Sequence, residues 1–212
     1  HGTTQEIISE LCGSDKNSKV RVVDLSADFR LKDIDTYATW YGKPHAAVEL
    51  QKEAVYGLPE VEGMREKIKD CKLLANPGCY PTAAQLPLIP LLKAGLIEDT
   101  DIIIDAKSGT TGAGRGAKEA FLFCEVTDGI SAYGVASHRH APEIEQGLSQ
   151  AALGDAKTDG VVINFTPHLM PMSRGILEAI YVKLKPGKVA ADLKAHLSSV
   201  YENEAFVHVL DD

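Results

Sequence analysis

A single stretch, residues 73–92, limits the folds open to this chain more than any other feature of the sequence. It reads LLANPGCYPTAAQLPLIPLL, and an Asn-Pro-Gly turn at 76–78 separates a short apolar run from a longer one. The longer run has helical composition over 82–94. Pro87 and Pro90 lack the backbone N–H that a helix interior uses, so we expect them to kink or split that helix. The stretch therefore predicts a strand, a turn and a distorted helix.

Strand and helix patterns alternate in the first half of the chain, which favours a parallel α/β layer. The clearest strand is the apolar run at 101–107, whereas residues 33–60 read as irregular. The second half has more strands and is closer to an α+β arrangement. A boundary near residue 80 gives two expected domains, 1–80 and 81–212. The other predicted elements are helices at 3–12, 64–70, 142–153 and 189–202, and strands at 20–24, 72–74, 160–169, 174–184 and 205–210.

Composition excludes several classes of partner. A formal net charge of −8 argues against nucleic acid or an anionic membrane surface, because both repel an acidic protein. No apolar run approaches the roughly 20 residues of a membrane span. An anionic substrate would need a local basic pocket to offset the repulsion from the net negative charge of the protein. We therefore expect a small-molecule partner, and neither nucleic acid nor membrane.

The chain begins HGTTQEIISELCG, without methionine and directly in an amphipathic helical pattern, so we expect a piece of a longer chain. Its four cysteines form no C-x-x-C pair and have no metal-finger spacing. Free thiols in a reducing compartment are therefore expected rather than a disulfide framework.

Cys79 follows the turn at 76–78 and precedes the predicted helix. The positive end of a helix dipole stabilises a thiolate, and the unpaired N–H groups at a helix start can hold an oxyanion. The competing interpretation is a small buried thiol, which we keep for Cys12, Cys71 and Cys124 because they lack this context. The sequence thus indicates Cys79 as a candidate nucleophile.

Two histidines, His138 and His140, precede the helix predicted at 142–153. A helix N-terminus disfavours imidazolium, which keeps a histidine neutral and able to accept a proton. In an extended segment both side chains face the same side, so spacing alone does not choose between them. A His-x-His pair also suits a metal, but no further close ligands complete a site. The plain alternative is a helix entrance with hydrogen-bonded imidazoles.

A glycine-rich loop, SGTTGAGRGA at 108–117, follows the strand at 101–107. It fits G-x-G-x-x-A, but no acidic residue ends a second strand about 20 residues later, as a dinucleotide fingerprint requires. Its glycines, with Lys107 and Arg115, predict instead a loop that brings backbone close to an anionic group. A solvated loop is the alternative.

Two further arginines, Arg30 and Arg174, follow polar segments. The guanidinium of arginine forms bidentate hydrogen bonds with carboxylates and phosphates, so each arginine is a candidate for binding an anionic group of a substrate. Each is by default an ordinary surface arginine.

Several blocks together resemble the N-acetyl-gamma-glutamyl-phosphate reductase family. NPGCYPTAAQLPLIPL is similar to the active-site signature of that family, and HRHAPEIEQ is similar to its histidine segment. VDLSADFRL, DAKSGTTGAGRGAKE and FTPHLMPMSRG are similar to further family blocks, and the resemblance extends over nearly all 212 residues. The glycine-rich N-terminal fingerprint of the family is absent and family chains continue past VLDD, so the resemblance implies an interior fragment.

The resemblance implies a reaction and a fold. The reaction is the NADPH-dependent reduction of N-acetylglutamyl 5-phosphate to N-acetylglutamate 5-semialdehyde and phosphate, through a cysteine thioester, in arginine biosynthesis. The fold is α/β, with the tail of a Rossmann-like dinucleotide-binding domain at 1–80. A mixed α+β catalytic and dimerisation domain of the phosphorylating aldehyde dehydrogenase type follows at 81–212. A homodimer or homotetramer is implied, in the cytoplasm, or in the plastid stroma if the source is a plant or alga.

The same resemblance assigns roles to residues of this chain. Cys79 is the implied nucleophile and His138 the implied base. The implied contacts near the nicotinamide or phosphate are Ser108, Gly109 and Gly112, and the implied contacts with substrate anions are Arg115, His168 and Arg174. No metal is implied.

Three alternatives stay open at the level of sequence. One is a related acyl-phosphate reductase such as aspartate-semialdehyde dehydrogenase, which needs the same cysteine and hydride donor. Another is a Cys–His hydrolase or acyl transferase without nicotinamide, which needs a carboxylate to orient its histidine. The third is a non-catalytic module that supplies an oligomer interface.

Overall fold

The computed structural model describes residues 3–13, 19–114, 116–154 and 160–211. The chain divides into two units, His1–Gly78 and Cys79–Asp212. The first unit contains, in chain order, α1 (Thr3–Gly13), β1 (Val22–Asp24), α2 (Ile34–Tyr41), α3 (Val48–Glu53), β2 (Val55–Tyr56), α4 (Met64–Asp70) and β3 (Leu73–Ala75). The second contains α5 (Cys79–Lys93), β4 (Ile102–Ser108), α6 (Phe123–Val126), β5 (Ser131–Ala132), α7 (Ala141–Leu153), β6 (Ile163–Leu169), β7 (Ile176–Tyr181) and α8 (Ala190–Tyr201), with 3-10 turns at Thr110–Ala113 and Glu119–Phe121.

The first unit has a parallel three-stranded sheet in the order β1-β3-β2, as the alternating pattern predicted. The prediction that residues 33–60 are irregular is wrong, because α2, α3 and β2 lie there. Asp33 caps α2 by accepting a hydrogen bond from the Asp35 N–H at 2.9 Å. Gly42 ends the helix with φ of 72°, a conformation that glycine adopts without strain. Both signals are local and were present in the sequence.

A buried polar network holds the loop after β1. The Tyr37 hydroxyl donates to the Asp28 carboxylate at 2.7 Å and accepts from the Gln5 amide at 2.9 Å. The guanidinium of Arg30 is buried, and it donates to the backbone carbonyls of Asn76 at 2.7 Å and Leu25 at 3.0 Å. Arg30 therefore links the segments that follow β1 and β3, and its guanidinium is not exposed for binding an anion.

The second unit has a mixed four-stranded sheet in the order β5-β6-β4-β7. β4 is parallel to β6 and antiparallel to β7. Along β4 and β6 alternate residues are buried, and this buried face, which we call the inner face, carries Ile104, Ala106 and Phe165. α5 packs against α7 and against β7, so helices provide the core on this side. The predicted strands at 101–107, 160–169 and 174–184 and the helices at 142–153 and 189–202 are confirmed within a few residues.

The helix α5 runs through both prolines without being split. Pro90 cannot donate the N–H that would normally reach the carbonyl of Leu86, four residues earlier. The hydroxyl of Tyr201, the last residue of α8, donates to that carbonyl at 2.5 Å instead. A tertiary contact thus replaces the hydrogen bond that the proline removes.

The strand predicted at 205–210 is wrong. This segment has no strand structure, and Phe206 and Leu210 are exposed. An alternating apolar segment becomes a strand only where a neighbouring strand pairs with it. No strand among the described residues pairs with this one.

One carboxyl group lies on the inner face of the sheet. Glu178 sits on β7 opposite Ala106, between Ile176 and Ile180 on the same face. Both of its carboxylate oxygens are buried and have no hydrogen-bond partner among the residues that the structure describes. Burial raises the pKa of Glu178 to about 8, so the group is largely protonated at neutral pH.

We predict that Tyr201→Phe lowers the free energy of unfolding by about 1–2 kcal/mol, because it leaves the Leu86 carbonyl without its donor. Chemical denaturation measures the change. Ser199→Ala removes a hydroxyl from an exposed side chain of the same helix and is the matched control. An equal effect of the two substitutions would contradict the assigned role.

We predict that Glu178 makes the protein less stable as pH rises from about 4.5 towards 8. Over that range the unfolded state releases the proton while the folded state keeps it, so stability falls by up to about 1.4 kcal/mol per pH unit. Above the folded pKa the slope levels off. Glu178→Gln should remove this part of the slope in denaturation measured across pH, whereas Glu202→Gln, at an exposed position, should not. An unchanged slope in Glu178→Gln would refute the assignment.

Candidate active site

Cys79 is the first residue of α5, directly after the turn that ends the first unit. Its side chain is exposed, and none of the four cysteines forms a disulfide. The preceding Pro77 and Gly78 are buried, so the turn is held in place. The thiol therefore stands at the positive end of a helix, where the dipole favours a thiolate.

Five rings meet beside the start of α5, and we call them the ring cluster. Its members are Tyr80 from α5, Tyr133, His138 and His140 from the segment before α7, and Phe165 from β6. The centroid of the His138 ring lies 5.6 Å from that of Tyr80, 5.5 Å from Tyr133, 5.4 Å from Phe165 and 4.9 Å from His140. The residue that follows Cys79 in sequence therefore packs against both predicted histidines.

The electrostatic state of His138 follows from this packing. Burial, and then the positive charge of Arg139, lower the pKa of His138 to about 4. The ring nitrogen Nδ1 accepts a hydrogen bond from the backbone N–H of His140 at 3.1 Å. The neutral imidazole therefore carries its proton on Nε2. At neutral pH His138 is uncharged and presents an N–H donor.

Two tyrosine hydroxyls lie in the same region. Those of Tyr80 and Tyr133 are 2.8 Å apart and share a hydrogen bond. Burial, the hydrogen bond to Tyr133 and the neighbouring Cys79 raise the pKa of Tyr80, and a contact with Ser108 opposes the rise. Burial and Cys79 also raise the pKa of Tyr133. Both phenols are therefore neutral hydrogen-bonding groups at physiological pH.

The glycine loop begins at the end of β4 and is pressed against the β6–β7 connection. Ser108 is buried, and its hydroxyl donates to the Gly109 carbonyl at 3.0 Å. The N–H of Gly109 donates to the Gly175 carbonyl at 3.0 Å. A Cβ on Gly109 would lie 2.6 Å from the backbone nitrogen of Arg174, closer than real contacts allow. Only glycine fits this approach.

The structure thus brings four of the predicted residues together. Ser108, Gly109 and Gly112 form the loop, since a Cβ on Gly112 would lie 2.9 Å from the Ser108 hydroxyl oxygen. Arg174 is exposed on the adjoining connection. Arg115, predicted as a substrate contact, lies outside the described residues.

Open space also lies beside the glycine loop. A cavity of about 570 Å³ lies beside it, and positions Gly114 and Gly116 have no atom within 4 Å of where a Cβ would stand. The cavity is lined by Thr110, Thr111, Gly114, Gly116, Ala117, Lys118, Glu119, Phe121 and Leu122. Glycine backbone and threonine hydroxyls suit a phosphate group, and the lining has one positive side chain, Lys118, and one negative side chain, Glu119. The loop residues therefore fit the phosphate part of a nicotinamide nucleotide.

His168 lies on the opposite face of the sheet from Phe165, because it is three residues along the same strand. Its Nδ1 is 3.3 Å from an Asp105 carboxylate oxygen and 3.1 Å from the Ala106 carbonyl. Lys107 binds the same carboxylate and is the main cause of the lowered pKa of Asp105. Within this chain the structure does not bring His168 to the ring cluster.

Sequence reasoning missed three members of the cluster. Tyr80 had a signal, its position directly after Cys79, whereas Tyr133 and Phe165 reach the site only through the fold. Among the described residues no group of three or more His, Cys, Asp or Glu side chains could hold a metal ion. No helix in the described part of the chain is long and apolar enough to cross a membrane.

Comparisons of the sequence agree with one another. The family model described as the semialdehyde dehydrogenase dimerisation domain matches residues 79–212. Over its whole length the chain is 59% identical to a probable chloroplastic N-acetyl-gamma-glutamyl-phosphate reductase of Arabidopsis thaliana, of which it covers 50%. It is 58% identical to an N-acetyl-gamma-glutamyl-phosphate reductase of Rhodospirillum rubrum, of which it covers 58%. The chain therefore spans about half the length of the curated relatives it matches.

Solved structures share the fold at low identity. Aspartate semialdehyde dehydrogenase II from Vibrio cholerae matches with a TM-score of 0.55 and 14% identity, over 73% of this chain and 51% of that one. Aspartate semialdehyde dehydrogenase with NADP from Candida albicans matches with a TM-score of 0.51 and 14% identity, over 89% of this chain and 52% of that one. These likenesses confirm the predicted fold class and carry nothing about the substrate.

Proposed function

Because the chain belongs to the semialdehyde dehydrogenase family, through the dimerisation domain at 79–212, we propose that the whole protein reduces an acyl phosphate to a semialdehyde with NADPH. The proposed substrate is N-acetylglutamyl 5-phosphate, and the products are N-acetylglutamate 5-semialdehyde and phosphate, in arginine biosynthesis. The names of the relatives, at 59% and 58% identity, support this substrate. The observation that carries the chemistry is an exposed thiol at the start of α5, followed directly by Tyr80, whose ring packs against a neutral histidine.

In the proposed reaction the sulfur of Cys79 attacks the acyl carbon of the substrate. The carbonyl oxygen takes up negative charge, which backbone N–H groups at the start of α5 stabilise. The C–O bond to phosphate then breaks, phosphate leaves, and the acyl group stays on Cys79 as a thioester. NADPH, when bound, supplies the hydride that reduces this thioester.

His138 is the proposed acid–base residue. In the resting structure it is a weak base, since its pKa is about 4 and its Nδ1 already accepts the His140 N–H. An anionic acyl phosphate beside the ring favours imidazolium and so opposes the lowering of that pKa. The thiol proton then moves to Nδ1 of His138 as Cys79 attacks, and Nδ1 gives up its hydrogen bond from the His140 N–H. The imidazolium is a strong acid and returns the proton when the semialdehyde leaves.

The cofactor-binding residues we propose are Ser108, Gly109 and Gly112, which lie together in the loop beside the cavity. For the anionic groups of the substrate we propose Arg174, whose backbone packs on Gly109. Arg115 and His168 stay predictions for the same role. His168 would reach a substrate only from the other face of the sheet.

We propose that the outer face of the second sheet, opposite to the inner face, forms a homodimer interface, with a homotetramer as the alternative outcome. Val162 is 71% exposed and Leu177 is 69% exposed, and Ile103 and Tyr181 are also exposed on this face. Burying such side chains against a second copy is favourable. Sedimentation velocity distinguishes the two assemblies. The proposed location is the plastid stroma for a plant or algal source, as the chloroplastic relatives suggest, and the cytoplasm for a bacterial one.

We predict that Cys79→Ser lowers turnover of N-acetylglutamyl phosphate by about 10³-fold or more in the whole protein, because serine is a far weaker nucleophile without thiolate character. NADPH oxidation measures turnover, and intact mass after mixing with substrate alone detects the acyl group on Cys79. Cys124→Ser, at another exposed thiol, is the control and should keep activity. Substantial turnover in Cys79→Ser would remove the covalent mechanism, and preference for aspartyl phosphate would change the substrate.

We predict that His138→Asn lowers kcat more than His140→Asn, by a factor in the range of about 10²–10⁴ that general acid–base groups contribute. Steady-state kinetics of both variants across pH measure the difference. The reverse order would show that His140 handles the proton, and equal losses would show that neither histidine acts alone.

A further inference from the structure

Tyr80 occupies the centre of the ring cluster. Its ring is 2% exposed and meets three others edge-on: His138 at 5.6 Å and 88°, Phe165 at 5.2 Å and 71°, and His140 at 5.9 Å and 69°. Edge-to-face contacts at these distances are favourable and fix the relative orientation of the rings. The residue that adjoins Cys79 therefore also limits how the imidazole of His138 can rotate.

The segment that carries His138 has few other buried contacts. Side chains from Ser131 to Ser137 are exposed, and Ala136 has a φ of 53°, which is unusual for a residue other than glycine. Exposed segments of this kind open locally at low cost in free energy. Pairing of β5 with β6 holds the start of the segment. Beyond β5, two contacts hold the segment at Tyr133: its N–H donates to the Pro167 carbonyl at 3.0 Å, and its hydroxyl shares a hydrogen bond with that of Tyr80 at 2.8 Å.

We propose that Tyr80 is a positioning residue that holds His138 next to Cys79 in two ways, by its ring against the imidazole and by its hydroxyl through Tyr133. The ring excludes water from one side of His138 and holds the imidazole where its Nδ1 accepts the His140 N–H, the hydrogen bond that sets the Nε2–H tautomer. The hydroxyl keeps the segment before α7 closed over the start of α5. The catalytic importance of this placement rests on the proposed function, whereas the placement itself does not.

Hydrogen exchange of the His140 backbone amide tests the hydrogen bond between the hydroxyls of Tyr80 and Tyr133. The His140 N–H donates to Nδ1 of His138, so its exchange with solvent reports how often the segment opens. Tyr80→Phe and Tyr133→Phe each remove one hydroxyl and keep both rings. We expect each variant to speed exchange of the His140 amide about five-fold, the effect of one hydrogen bond of typical strength.

A double-mutant cycle separates one shared bond from two independent effects. If the hydroxyls act through their common hydrogen bond, the double variant exchanges no faster than either single variant. Ser199→Ala, at an exposed serine of α8, controls for loss of a hydroxyl elsewhere. Additive effects, or unchanged His140 exchange in both single variants, would overturn the proposal.

The role of the ring is tested by ¹⁵N NMR of the histidine side chains. The groups that face His138 are the phenols of Tyr80 and Tyr133, the His140 ring and the charge of Arg139. Tyr80→Phe should keep the Nε2–H tautomer and the low titration of His138, and Tyr80→Leu should raise its midpoint towards the ordinary value of about 6.5. A folded Tyr80→Leu protein with unchanged His138 resonances would refute the ring contact. If Tyr80→Leu does not fold, the hydroxyl cycle decides the proposal alone.

These measurements use the protein without substrate or cofactor. A failure of the proposed function, seen as no turnover of N-acetylglutamyl phosphate by the unsubstituted whole protein, or of the covalent mechanism, seen as full turnover in Cys79→Ser, would therefore leave their outcome unaffected. A positioning role also predicts a specific kinetic pattern in the whole protein: Tyr133→Phe lowers kcat about five-fold with KM unchanged, since the segment opens without touching the binding groups. A change in KM alone would assign Tyr133 to substrate binding and overturn its role as a tether.

Discussion

The placement of α5 is the constraint on which the second unit depends. The helix packs against α7 and β7, and it begins at Cys79. Two prolines in its interior remove backbone donors, and the Tyr201 hydroxyl satisfies the carbonyl that Pro90 leaves open. The helix that presents the thiol therefore keeps its last turns through a contact from α8, more than a hundred residues away in sequence. Local sequence predicted a kink or a break at the two prolines, whereas the helix continues unsplit to Lys93.

Much of the site could be predicted from sequence because its signals are local. A turn, a cysteine and a proline before a helical run place Cys79 at a helix start, and four glycines place a loop after β4. The neutral state expected of a histidine before α7 agrees with the lowered pKa of His138, although burial is the main cause. The family resemblance read from five sequence blocks is confirmed by the relatives.

The rest depends on contacts between distant residues. Tyr133 and Phe165 reach His138 only because β6 and the segment before α7 come together in the folded sheet. The side of the sheet that His168 occupies was available from the alternation along its strand, since residues three apart face opposite ways. The strand expected at 205–210 did not form because alternation predicts a strand only where a partner exists.

The groups around Cys79 are kept uncharged by their surroundings, and this has a consequence for the chemistry. Burial lowers the pKa of His138 and raises those of Tyr80 and Tyr133, so all three are neutral at pH 7. Because these groups are uncharged before substrate binds, the protein avoids the desolvation cost of buried ionised side chains. In the proposed reaction, the negative charge of an acyl phosphate then favours the imidazolium that proton transfer requires. A neutral acyl donor lacks this effect, so under the proposed mechanism the packing that suppresses the resting charge of His138 favours an anionic substrate.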